Sequence, residues 1–294
     1  MNLLTSVLSQ HGLTIVQPTI RDHFSRFHAV VSDIKGDKYF IKAVVGKYSY
    51  SYKSLIAESN ITNYLSKLTY QNNIEYKKYR LLVPQVKEII LQDQLVCLVS
   101  RLIEGQRLLD QSSAAQAQLL PVVLQLVQRL GQFTDRKAIS PYVKNYSDLS
   151  FILHSPFQLA KAVSVTPGQI VNLFRIFLKT FPLLLNSKHT GLVHADINSS
   201  NIWFQGKTLY LTDWEQAGWG ITDYNTVGPL SVHWNIPEIR NQLFSKSLIS
   251  LLAFRILVLF SQRLESSDSR RKRDYSLLRE VILRNFRNVA SRKK

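Results

Sequence analysis

His194, Asp196, Asn201 and Asp213 fall inside one block, residues 192–215, reading LVHADINSSNIWFQGKTLYLTDWE. They are the residues of this chain best suited to carry chemistry. A carboxylate beside a histidine can accept the proton of an attacking hydroxyl. A second carboxylate together with an amide offers the hard oxygen ligands that Mg²⁺ takes while keeping waters and phosphates in its shell. Asp196 is therefore the candidate base, Asn201 and Asp213 the candidate metal ligands, and His194 a brace for the loop. In this order and spacing the set fits phosphoryl transfer, a catalytic loop followed by a metal-binding carboxylate.

The elements that must position these residues are legible around them. Leu192 and Val193 read as the end of a short buried strand, and the polar run 198–200 continues neither a helix nor a buried strand, so a loop begins near His194. Residues 202–204 resume an apolar run, 205–207 have turn composition, and 208–212 alternate as a half-buried strand does. This hairpin is expected to bring Asp196, Asn201 and Asp213 to one rim.

A second pair lies upstream. Residues 26–32 and 38–45 read as strands joined by the turn-like 33–37, and Lys42 sits inside the second, in YFIKAVV. In the segment 51–68, Leu55, Ile61, Leu65 and Leu68 recur at helical spacing, and Glu58 falls on that apolar stripe. A carboxylate there is costly without a cation, and Lys42 is its expected partner.

Taken together, HADINSSN, LTDWEQAGWG, the strand lysine and the helix glutamate resemble the protein-kinase-like superfamily, specifically its aminoglycoside phosphotransferase and choline kinase branch. The resemblance implies an α+β, two-lobed protein-kinase-like fold, with a small β-rich N-lobe (1–100) and a larger, mainly helical C-lobe (101–294). It implies ATP and Mg²⁺ as cofactors, Asp196 as catalytic base, Asn201 and Asp213 as magnesium ligands, and Lys42, held by Glu58, as the phosphate-contacting lysine. Asp223, in GITDYN, corresponds to a structural aspartate of the branch. After a strand-like stretch at 94–99, backbone groups of Ser100, Arg101, Leu102 and Ile103 correspond to the linker that meets adenine, and Glu104-Gly105 would open the larger lobe. Two features depart from protein kinases. Residues 15–25, where a phosphate-covering loop belongs, hold no glycine, and Asn198 stands where a lysine is usual. The second argues for a small-molecule acceptor over a protein.

Composition bounds the remainder. At 294 residues and 45% hydrophobic content the chain can bury two cores. A single cysteine, Cys97, excludes an internal disulfide framework and suits a reducing, cytoplasmic setting. The first residues carry no signal-peptide pattern. The apolar run 248–260 is short and contains Arg255, so a lobe helix is expected rather than a membrane span. Further helices are expected at 112–130, with Pro121 inside and Gly131 as the stop, and at 169–185. Between them 135–167 reads as irregular, with Tyr142, Tyr146, Phe151 and Phe157 as packing aromatics.

The net charge of +17 is not explained by such a fold. Residues 263–294 hold eleven Lys or Arg against four Asp or Glu. There Leu278, Val281, Ile282, Phe286 and Val289 form an apolar stripe beside Arg279, Arg284 and Arg287. A basic amphipathic helix of this kind either packs on the larger lobe or makes peripheral contact with an anionic membrane; no base-reading motif points to nucleic acid. The field of the whole chain favours an anionic or lipid-linked small molecule or glycan over a polycationic aminoglycoside. A protein kinase and a catalytically silent kinase-like module are the alternatives. The first is disfavoured by Asn198 and by the lack of an A-P-E segment, the second by retention of the four polar site residues.

Overall fold

The computed structural model describes residues 2–17, 20–21, 26–46, 49–92, 94–145, 178, 190–222 and 224–226. The chain divides into two compact units, one of Met1–Lys144 with Asn198–Gly218, the other of Asn145–Ile197 with Trp219–Lys294. Apart from residue 178, the expected helix at 169–185 lies outside the described residues, as do the run 248–260, Asp223, the basic segment 263–294, Tyr146, Phe151 and Phe157. Among the described residues no helix is long and apolar enough to cross a membrane.

The first unit is mixed α and β, rich in strands at its start. Helix α1 (Asn2–Gln10) precedes β1 (Thr14–Ile15), β2 (Ile20–Arg21), β3 (Arg26–Ser32) and β4 (Lys38–Val45). Helix α2 (Tyr50–Gln71) leads to β5 (Glu75–Tyr76), β6 (Tyr79–Leu82), β7 (Val86–Gln92) and β8 (Leu95–Arg101). One antiparallel sheet has the order β1-β3-β4-β8-β7, with β2 also on β3.

The alternation of β4 and β8 gives this sheet two apolar faces. Ile41, Ala43, Cys97 and Val99 pack with Leu4, Val7 and Leu8 of α1, a helix that the sequence reading did not assign. Val44, Val96 and Leu98 pack with Tyr52 and Leu55 of α2. Ser49 caps α2, its side chain accepting the Tyr52 N–H at 3.1 Å. The β3–β4 turn is set by Asp33. Its Oδ1 accepts from the N–H groups of Lys35 and Asp37, and Gly36 supplies φ +85.

A second sheet has the order β5-β6-β13-β12-β9, where β9 is Gln106–Arg107, β12 Ile202–Gln205 and β13 Thr208–Leu211. Its β12–β13 hairpin is the one expected from the sequence, with Gly206 at φ +61 in the two-residue turn. Helix α3 (Ser113–Phe133) begins at its Ser112 cap and is continuous through Pro121. Gly131 does not end it. Thr134 donates its hydroxyl to Leu130 O and its N–H to Gly131 O, which caps the helix three residues beyond the expected end. The short helix α4 (Arg136–Ile139) and β10 (Lys144–Asn145) follow. In the second unit β11 (Thr190–Val193) pairs with β14 (Gly218–Ile221).

Candidate active site

In the first unit, Lys42 projects from the centre of β4 toward α2. Its ammonium donates to Glu58 Oε1 at 2.9 Å and Oε2 at 2.7 Å, and to Asp213 Oδ1 at 2.9 Å. Lys42 and Glu58 are buried, whereas the Asp213 side chain is 36% exposed. Burial alone would lower the Lys42 ammonium, but the carboxylates of Glu58 and Asp213 outweigh it and hold the amine above its ordinary value. Burial pushes the Glu58 carboxyl up to about 7, against the pull of Lys42.

Asp213 follows β13 in the left-handed conformation, φ 62 and ψ 61, which turns the chain sharply into the short 3₁₀ segment Trp214–Gln216. A non-glycine residue there is strained by about 1 kcal/mol or more and persists only where its surroundings hold it. Several contacts do so. Trp214 is buried and its Nε1 donates to Leu211 O at 3.0 Å. Glu215 accepts two hydrogen bonds of 2.6 Å from the Arg26 guanidinium and one of 2.8 Å from Ser54 Oγ on α2.

Asn201 enters the same hairpin, immediately before β12. Thr212, the residue before Asp213, gives Asn201 O both its N–H, at 2.9 Å, and its hydroxyl, at 3.1 Å. Asn198 caps the single turn Ser199–Asn201 by accepting from the Ser200 N–H, and Ser199 Oγ donates to buried Gln116 Oε1 of α3 at 2.8 Å. Hairpin closure therefore brings Asn201 and the chain entering Asp213 together at its open end. Oxygens of Glu58, Asp213 and Glu215 also come within 4.8 Å of one another. Lys42 engages Glu58 and Arg26 engages Glu215, so the hard donor of this corner that reaches solvent, and that fits a small divalent cation such as Mg²⁺, is Asp213.

His194 and Asp196 belong to the second unit. His194 is fully buried at the end of β11, and its backbone N–H donates to Asn225 Oδ1 at 2.7 Å. Asn225 Nδ2 returns a bond to Leu192 O. The Asp196 N–H donates to His194 Nδ1 at 3.3 Å, so that ring nitrogen serves as an acceptor and the imidazole folds the loop back on itself. Ala195 between them has φ 64, a second strained residue at the loop start.

Strand β8 runs two residues beyond the expected 94–99, taking in Ser100 and Arg101. The N–H groups of Arg101 and Leu102 donate to Gln85 O and Lys38 O, and Ser100 Oγ donates to Phe40 O. Those two amides are therefore used by the sheet. Arg101, Leu102 and Ile103 line a cleft of about 650 Å³ with Tyr39, Tyr70 and Tyr210, and Lys42 does not line it.

Sequence reasoning passed over Arg26, Ser54 and Glu215. The available signals were a carboxylate two residues after Asp213 and an arginine opening a mostly apolar strand.

No family model and no curated protein matches the sequence. Solved structures do match. A thermostable mutant of the aminoglycoside phosphotransferase APH(4)-Ia, in a ternary complex with AMP-PNP and hygromycin B, aligns with TM-score 0.65 at 14% identity, over 99% of this chain and 100% of that one. An amicoumacin kinase in complex with AMP-PNP and Ca²⁺ aligns with TM-score 0.64 at 14% identity, over 96% and 93%. The macrolide 2′-phosphotransferase MphH from Brachybacterium faecium aligns with TM-score 0.56 at 12% identity, over 94% and 97%. The likeness spans nearly the whole of each chain, and what it establishes is architecture: this chain has the α+β, protein-kinase-like fold of the aminoglycoside and macrolide phosphotransferases.

Proposed function

We propose that the protein is an ATP- and Mg²⁺-dependent phosphotransferase that moves the γ-phosphate to a hydroxyl of a small molecule or glycan. The observation that carries this reading is the Lys42 ammonium held between Glu58 and Asp213. A buried lysine fixed by a helix carboxylate is the device by which such folds present a cation to nucleotide phosphates. The solved structures of like fold supply the reaction class, since they include aminoglycoside, macrolide and amicoumacin phosphotransferases.

In this reading Asp196 accepts the proton of the acceptor hydroxyl as its oxygen bonds to the γ-phosphorus and the bond to the β,γ-bridging oxygen breaks, releasing ADP. Lys42 holds the non-transferred phosphates and Glu58 fixes its direction. Asn201 and Asp213 would hold Mg²⁺, which would supply positive charge to offset that of the phosphates. His194 braces the base loop, as its bond with the Asp196 N–H supports. Adenine meets the linker through the backbone of Ser100–Ile103. The Arg101 and Leu102 amides are engaged by Gln85 O and Lys38 O, so they are not the groups that adenine meets. Residues 1–100 act as the N-lobe and 101–294 as the C-lobe, with Asp223 as a structural brace.

The positive charge favours an anionic or lipid-linked acceptor, handled in the cytoplasm or at the inner membrane face. The test is incubation with γ-labelled ATP and a fractionated cell extract, with Asp196→Asn as control. Label is expected in a small-molecule or glycan fraction and absent with the variant. Label only in protein, or turnover that survives Asp196→Asn, overturns the proposal.

A further inference from the structure

We infer that Glu215 is a positioning residue for the metal-binding turn, clamped there by Arg26 and Ser54; this rests on the proposed role of Asp213 as a metal ligand. Three carboxylates crowd one corner of the first unit, Glu58, Asp213 and Glu215, with oxygens within 4.8 Å. Two cations divide them. Lys42 takes Glu58 and one oxygen of Asp213, and Arg26 takes both oxygens of Glu215 in the bidentate geometry that fixes direction as well as distance. The Arg26 and Glu215 side chains are 6% and 12% exposed. Both Glu215 oxygens are thus occupied, and the carboxylate that reaches solvent is Asp213.

The position of the clamp gives it a consequence. Asp213 is held in the left-handed region, a conformation that relaxes unless neighbours oppose it. Two residues on, Glu215 ties that turn to helix α2 through Ser54 and to the first residue of β3 through Arg26. Arg26 immediately follows the sequence segment 15–25 in which a phosphate-covering loop is expected. One carboxylate therefore connects the metal-ligand turn, the helix that carries Glu58 and the strand leaving that segment. The clamp orients Asp213 without itself touching metal or nucleotide.

The test uses the full chain and three variants, Ser54→Ala, Glu215→Gln, and Arg26→Met combined with Glu215→Gln. The last removes both charges and leaves neither buried alone. Calorimetry measures AMP-PNP binding first in EDTA and then against rising MgCl₂, alongside the unfolding midpoint. In the two Glu215 variants the Mg²⁺ midpoint is expected to rise roughly ten- to a hundredfold, the loss typical of outer-sphere partners, with metal-free nucleotide affinity unchanged. Ser54→Ala should shift it less, in the same direction, with no change in unfolding midpoint. A Mg²⁺ midpoint equal to wild type in whichever variants remain folded overturns the clamp while leaving the proposed function standing. Wild-type protein that binds no Mg²⁺–AMP-PNP overturns the proposed function, and the clamp with it.

Discussion

Lys42 Nζ stands 2.7 Å from Glu58 Oε2 and 2.9 Å from Asp213 Oδ1, so one ammonium ties a strand to a helix and to the exit of a hairpin. Replacing Lys42 with Met leaves Glu58 buried without its cation. Breaking a buried pair from one side costs about 3–5 kcal/mol. Denaturant unfolding at pH 8 should show a loss of that order for Lys42→Met, partly recovered when Glu58→Gln is added. Equal stabilities of the single and double variants would show that the carboxylate is not what the lysine satisfies.

The Glu58 carboxyl supplies a pH dependence of definite sign. Its folded-state pKa of about 7 lies above the ordinary 4.5, because burial resists the charge more than Lys42 favours it. Between those values the folded chain holds a proton that the unfolded chain has released, so stability falls as pH rises through the window. The contribution is complete below 4.5 and lost above about 7. In metal-free protein, wild type should lose stability relative to Glu58→Gln across this range. Unfolding midpoints measured at a series of pH values check it, and a constant difference contradicts it.

Gly105 is required for the close approach of two strands. A Cβ there would stand 2.6 Å from Phe204 O, a backbone atom that cannot swing away, beside the Phe204–Gln106 pairing of β12 and β9. Gly105→Ala is expected to cost about 1–3 kcal/mol by displacing β9. Gly206→Ala is a useful comparison, since open space surrounds it and only its φ of +61 opposes a side chain, at about 1 kcal/mol. Thermal unfolding should rank Gly105→Ala as the more damaging.

Cys97 should be chemically silent. It is fully buried in β8, and burial pushes its thiol up to about 12, so the reactive thiolate is scarce at neutral pH. Native protein at pH 7.5 is expected not to react with a disulfide reagent, and one thiol should appear on adding denaturant. Rapid reaction without denaturant would mean that the central strands open on their own.

Much of the first unit is legible in its sequence because its signals are local. The β3–β4 hairpin, with its strands at Arg26–Ser32 and Lys38–Val45, follows from alternation on both sides of a turn that Asp33 and Gly36 can form. The β12–β13 hairpin follows likewise from Gly206. Helix α1 was missed because a nine-residue amphipathic segment is marginal by itself and is stabilised here by the sheet face it covers. The end of α3 was misplaced because Thr134 caps it through its own hydroxyl, an outcome of local geometry rather than of glycine's usual preference.

The sequence by itself determined which side chains are available for phosphoryl-transfer chemistry and on which elements they ride, because periodicity and turn chemistry act over a few residues. It also made Glu58 demand a cation, since a carboxylate on an apolar stripe is costly wherever the helix packs. Only the tertiary structure decided that Lys42 answers both Glu58 and Asp213, and that Arg26 and Ser54 take up Glu215 across 189 and 161 residues. Such contacts depend on how whole sheets and helices stack, and no spacing along the chain encodes the distance between side chains so far apart.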